Sequence, residues 1–209
     1  MTRLTPRTLF GRAFVTLFAL SISGSAANAA VIVLNGGMGQ FCYQMTKATV
    51  DGEDLLTLQM TGSLIGIPPI QVCTMAITGN DLVTHELAGT YNNRGVLYFL
   101  DQKFNEAIAD FEKARSIDPE IPEVHVNYGA SLVALKRFAD GIGPLTKGIE
   151  MGAAELEKAY YNRAIAYEEV GRVKEAYYDY LKASELKPDW EQPKMQLTRF
   201  TVRKTGAAK

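Results

Sequence analysis

Histidine and cysteine are scarce, with two of each in 209 residues. No acyl-transfer or zinc-hydrolase motif accompanies His85 or His125, which read as buried or half-buried structural histidines. No third or fourth ligand stands at a spacing that would complete a zinc site with Cys42 or Cys73. An excess of one charge is also missing: 22 basic against 23 acidic side chains give a net charge of −1. Such a balance gives no drive toward nucleic acid or an anionic membrane surface. The apolar run Ala13 to Ile22 falls short of the roughly 20 residues needed to span a bilayer. A dinucleotide-binding reading of Gly37-Met38-Gly39 fails because Cys42 stands where the third glycine belongs and no βαβ unit follows, so a plain loop is expected there. Acidic pairs such as Glu168-Glu169 read as a solvated helix face, and Tyr177, Tyr178 and Tyr180 as inter-helix packing. These absences leave no enzyme, no cofactor and no metal in the reading.

What the chain does have is an internal repeat. From Ala88, the residues Tyr91, Gly95, Tyr98, Ala107, Phe111, Ala114 and Pro119 occupy places 4, 8, 11, 20, 24, 27 and 32 of a 34-residue unit. From Pro122 the frame returns with His125, Gly129, Leu132, Gly141, Leu145 and Gly148, and Ala153 stands at the place of the closing proline. From Glu157 it returns as Tyr160, Ala164, Tyr167, Ala176, Tyr180, Ala183 and Pro188. Small residues at places 8, 20 and 27 let two helices approach, and larger ones at 4, 11 and 24 fill the space beside them. The pattern resembles the tetratricopeptide repeat, a pair of antiparallel helices. The resemblance covers about residues 88 to 200 and implies an all-α fold, an α-solenoid of three hairpins. The expected repeats are 88–121, 122–156 and 157–190, followed by a capping helix over 191–200 and a frayed tail over 201–209.

The amino terminus reads as an address. Arg3, Arg7 and Arg12 precede the apolar run, and Ala27-Asn28-Ala29 has the form of a signal-peptidase site, so residues 1–29 are expected to be removed and the protein to reside in the periplasm. Cleavage leaves 19 basic side chains against 23 acidic, and no membrane attachment. In an oxidising compartment, an even cysteine count favours a structural disulfide between Cys42 and Cys73, 31 residues apart. Buried free thiols, or a metal pair with His85, are the alternatives. A bridge of this span is worth about 3 kcal/mol in the chain-entropy model.

Residues 30–86 form the cap region. Val31 to Leu34 is β-prone, Gln40 to Val50 suits a helix carrying Cys42, Asp51 to Pro69 reads as a long connection, and Ile70 to Thr78 suits a second helix. Counting back 34 places from Ala107 reaches Cys73, so this helix is a candidate for helix B of a degenerate opening repeat.

The resemblance implies that the A helices line a concave groove in which places 2, 5, 6, 9, 12 and 13 face a ligand. The candidate peptide-binding residues are Asn92, Asn93, Val96 and Phe99 of the first unit, Val126, Asn127 and Val133 of the second, and Lys158, Tyr161, Asn162 and Ile165 of the third. Place 6 is asparagine in all three units, and a carboxamide both donates to and accepts from an extended backbone. A purely structural cause for those asparagines stays open. The five-residue carboxylate clamp of chaperone-binding members falls on Asn92, Val96, Asn127, Lys158 and Asn162, where only Asn127 and Lys158 match. The expected function is a noncatalytic scaffold that binds a protein or peptide. The alternative is a homo-oligomer that turns its apolar groove on itself.

Overall fold

The computed structural model describes residues 2–6, 37–52, 66–79 and 81–204. The apolar run of the leader, Val31 to Leu34, most of the connection after Asp51 and residues 205–209 lie outside the described residues.

Three helical hairpins form the solenoid. They are α3 (Thr84–Leu100) with α4 (Phe104–Ile117), α5 (Pro122–Ala134) with α6 (Phe138–Glu150), and α7 (Leu156–Glu169) with α8 (Val173–Leu186). Each hairpin turns at place 15, where Gln102, Lys136 and Gly171 take left-handed backbone with φ of 60°, 61° and 81°. The next amide reaches back to close the turn: Lys103 N–H to Tyr98 O, Arg137 N–H to Leu132 O and Arg172 N–H to Tyr167 O. Such a turn satisfies carbonyls that the helix end would otherwise leave open.

Small residues permit the close approach within each hairpin. A Cβ on Gly95 would lie 2.7 Å from the Phe111 ring, and one on Gly129 would lie 2.7 Å from Leu145 Cγ. The second unit is one residue longer because α6 ends differently from α4. Gly152 adopts φ of 78° and Ala153 N–H bonds Gly148 O, whereas α4 stops in extended backbone at Asp118 ahead of Pro119. A glycine turn thus replaces the proline stop.

Ahead of the repeats, α1 (Gly37–Asp51) and α2 (Pro69–Thr78) pair with each other and abut α3. The Cys42–Cys73 disulfide joins them with a Cα–Cα distance of 4.6 Å. Both cysteines are buried with Leu97 of α3, so the bridge also anchors the cap to the first repeat. One expectation is corrected here. Gly37-Met38-Gly39 forms the first turn of α1 rather than a loop, and Gly37 enters it with φ of 59°.

The carboxyl end also differs from the expected capping helix over 191–200 and frayed tail. Helix α9 (Glu191–Leu197) stops three residues early, and β2 (Phe200–Lys204) follows. It pairs antiparallel with β1 (Thr2–Pro6), Thr2 opposite Lys204 and Pro6 opposite Phe200. Phe200, Thr201 and Val202 are strand-favouring residue types, and a partner strand supplies the hydrogen bonds that a short helix end cannot.

Candidate functional site

The A helices α3, α5 and α7 carry the residues singled out for ligand contact, and a chain of carboxamides links the first two. Asn127 Nδ2 on α5 donates to Asn92 Oδ1 on α3 at 2.8 Å, and Asn92 Nδ2 is directed at Asn93 Oδ1 at 3.4 Å. All three side chains are buried. A buried amide needs such partners, since leaving one unsatisfied costs about 1 to 3 kcal/mol. Asn162 stands apart from this ladder, half-buried on α7. The structure thus brings two of the three place-6 asparagines together through Asn92, a place-5 residue.

Burial divides the expected contact residues. Asn92, Asn93, Val96, Phe99, Val126, Asn127, Val133 and Lys158 are closed to solvent. Tyr161, Asn162 and Ile165 remain half-open, as does Ala130 on α5, with Ala134 and Glu169 exposed beside them. Most of the open positions therefore belong to the second and third repeats, with Leu100 at place 13 of the first also half-buried. Lys158 is held beside Glu155, yet burial outweighs that pairing and pushes its pKa down. Tyr161 meets Trp190 at 4.8 Å and Tyr180 at 5.5 Å between ring centroids, and burial pushes its hydroxyl pKa up. With Arg199 paired to Glu168, these contacts seat the carboxyl-terminal cap on α7.

Two ion pairs escaped the sequence reading. Arg94 at place 7 makes a two-pronged contact with Asp110 at place 23, Nε to Oδ2 and Nη2 to Oδ1, both 2.7 Å. Arg163 and Asp179 repeat it at the same places, at 2.7 and 3.0 Å. Each arginine also donates Nη1 to a threonine of the preceding helix B, Thr74 at 3.1 Å and Thr146 at 3.0 Å. The identical 16-residue spacing in the first and third units was the available signal. The expectation of buried or half-buried histidines holds for His125 and is corrected for His85, which is exposed. Buried His125 donates Nε2–H to Pro119 O at 2.8 Å, while exposed His85 contacts Asp118 at 2.8 Å and lowers its pKa.

Among the described residues no cluster of three histidine, cysteine or acidic side chains is placed to hold a metal, and no helix is long and apolar enough to cross a membrane.

Stacked helical hairpins with one shared A-helix face define a helical-repeat scaffold. Residues 88–121 and 157–189 each match the family model described as Tetratricopeptide repeat. Among curated proteins the chain is similar to RNA polymerase II-associated protein 3 of Rattus norvegicus, with 30% identity over 107 residues, 51% of this chain and 16% of that protein. It is also similar to the DnaJ homolog subfamily C member 7 homolog of Dictyostelium discoideum, 30% identical over 100 residues, 47% of this chain and 18% of that protein. The likeness is thus confined to a small part of each relative. Among solved structures, the first TPR domain of human RPAP3 shares 26% identity and a TM-score of 0.51 over 55% of this chain and 89% of that one. The first TPR of Spaghetti (RPAP3), bound to the HSP90 peptide SRMEEVD, shares 27% identity and a TM-score of 0.50 over 53% and 87%. MamA from Desulfovibrio magneticus RS-1 has the same fold, with a TM-score of 0.57 over 78% and 82% at 15% identity.

Proposed function

We propose that this chain is a noncatalytic, exported scaffold whose concave face holds a segment of a partner protein. The observation that carries the reading is the shared face of α3, α5 and α7, half-open at Tyr161, Asn162 and Ile165, in a chain similar to a repeat domain that holds a peptide. Contact begins at the half-open stretch of α7, where Asn162 offers a carboxamide and Tyr161 and Ile165 offer apolar surface. Because Asn92, Val96 and Asn162 replace the other clamp residues, a segment without a terminal carboxylate cluster suits the face better than a chaperone tail.

Export is supported by the arginine-led leader with its small-residue cleavage site, and by a disulfide in a chain of only two cysteines. Cleavage after Ala29 would take β1 away with the leader and leave β2 without its partner. Intact-mass spectrometry of secreted material should give a protein beginning at Ala30 or Val31. Soluble protein retaining Met1 would end the export reading.

A photo-crosslinking amino acid placed at Asn162 tests the binding face in living cells. Adducts with a recurring partner are expected from that position and not from Lys182, which lies exposed on α8. Equal labelling from both positions would sink the concave-face assignment. Multi-angle light scattering separates a foreign partner from a second copy of the chain, which would appear as a dimer in the absence of any other protein.

A further inference from the structure

We infer that, once the leader is gone, residues 31–34 of one copy add as a strand to β2 of a second copy, so that chains join head to tail by their ends rather than by their concave faces. The inference rests on the export reading, because loss of residues 1–29 is what frees β2.

With the leader present, β1 covers one edge of β2 from Phe200 to Lys204. Without it, that edge offers unpaired backbone donors and acceptors, a template for pairing with another strand. Phe200 anchors β2 to the body, its ring centroid 5.7 Å from that of Tyr177 and 6.0 Å from that of Tyr180 on α8. The acceptor therefore sits at the carboxyl-terminal end of the solenoid. The donor is the β-prone run of residues 31–34, outside the described residues, which cleavage leaves one residue behind the new amino terminus.

That run cannot reach β2 of its own chain. Only Asn35 and Gly36 separate it from α1, so Leu34 lies at most about 11 Å from Gly37. Helix α1 packs on α2 and α3, α3 on α5, α5 on α7, and α7 on α8. With about 8 to 10 Å between packed helix axes, α3 and α7 are already roughly 16 to 20 Å apart, before the further steps to α1 and α8. The strand must come from another molecule.

The two ends also suit each other. Residues 30–86 hold one basic and five acidic side chains, whereas residues 170–209 hold nine basic and five acidic. Unlike ends attract and like ends repel, which favours the head-to-tail sense. Five of the six exposed large apolar side chains among the described residues lie at these ends, Met75 and Val83 at one, Tyr178, Leu186 and Met195 at the other. Beside Met75 a cavity of about 260 Å³, lined by Met38 and Leu82 and by the acidic Asp81 and Glu86, gives the cap end a recess for an incoming side chain. Because donor and acceptor lie at opposite ends, the contact is heterologous and grows into rings or open chains.

Protein made to begin at Ala30 tests this, with its disulfide formed. Light scattering should show a mass that at least doubles on about hundredfold concentration and falls back in high salt. Over the same range, amides of residues 200–204 should slow in exchange by about tenfold or more. Protein beginning at Asn35, which keeps every described residue from Gly37 onward, should stay a monomer. Adding the synthetic heptapeptide of residues 30–36 should restore protection of its β2 amides. A mass of one chain throughout, assembly that survives in protein beginning at Asn35, protection of β2 that is independent of concentration, or a peptide without effect would each overturn the strand exchange. Failure here is separable from failure of the earlier reading, since intact mass of secreted material judges export and crosslinking from Asn162 judges the concave face.

Discussion

Two of the residues expected to contact a ligand carry opposite electrostatic obligations. Asn127 is neutral, buried and hydrogen-bonded to Asn92, so replacing it with alanine deletes a buried hydrogen bond between α5 and α3. Asn127→Ala should therefore lower stability by about 1 to 3 kcal/mol, read as a shifted urea midpoint with an unchanged slope. An unaltered midpoint would return Asn127 to a ligand-holding role. Lys158 is the reverse case, a cation whose burial lowers its pKa below the ordinary lysine value of 10.5. Between its lowered pKa and that ordinary value the unfolded chain binds more protons than the folded one, so this group makes stability rise with pH across that window. At neutral pH the desolvation cost is present. Lys158→Met should raise the melting temperature at pH 7, and the gain should shrink as pH approaches about 10.5. A variant melting below the wild type at neutral pH would mean that the Glu155 pairing outweighs burial.

At the scale of elements, the cap hairpin depends on one covalent link. Its two helices surround Cys42 and Cys73, and the segment between them closes a 31-residue separation. Cys73→Ala should cost about 3 to 4 kcal/mol in an oxidising buffer and nothing further once the wild type is reduced. Loss should appear first as faster amide exchange in α1 and α2, with α7 and α8 unaffected, because neighbouring hairpins alone share an interface. Uniform loss across all hairpins would mean that the solenoid unfolds as one unit. The arginine–aspartate staples act at the same scale. Both carboxylates are buried, with side-chain exposures of 7% and 9%. Asp110→Ala would leave the Arg94 guanidinium half-buried and unpaired, a change that ordinarily costs about 3 to 5 kcal/mol. Denaturant unfolding of that variant reads the loss directly, and a cost below about 1 kcal/mol would reduce the staple to an ordinary surface pair.

For the whole molecule, the two chain ends compete for one arrangement. Thr2–Pro6 supplies the partner strand for Phe200–Lys204, yet the same five residues belong to the expected leader. Amides of residues 200–204 should be protected from exchange in the full-length chain and exchange freely in dilute protein beginning at Ala30. Equal protection in both forms at that dilution would show that β2 finds another partner within its own chain after cleavage.

The repeat was legible in the sequence because its cause is local and periodic. Gly95 must be small for Phe111 to lie against it, and Ala164 and Tyr180 meet the same demand in the third unit, so hairpins and their spacing follow from residue size alone. The cysteine pairing was legible too, since two cysteines have one way to pair. Which of the expected contact residues are open was not, because burial depends on what the remote chain lays over a surface, and the same place number is closed at Asn93 and half-open at Asn162. The carboxamide ladder joins residues 35 apart, and β1 meets β2 across nearly the whole chain. Local pattern determined the helices, their pairing and the order of the A helices. Only tertiary structure decided which of its polar groups satisfy one another, because hydrogen-bond partners are chosen by distance in space and not by position along the chain.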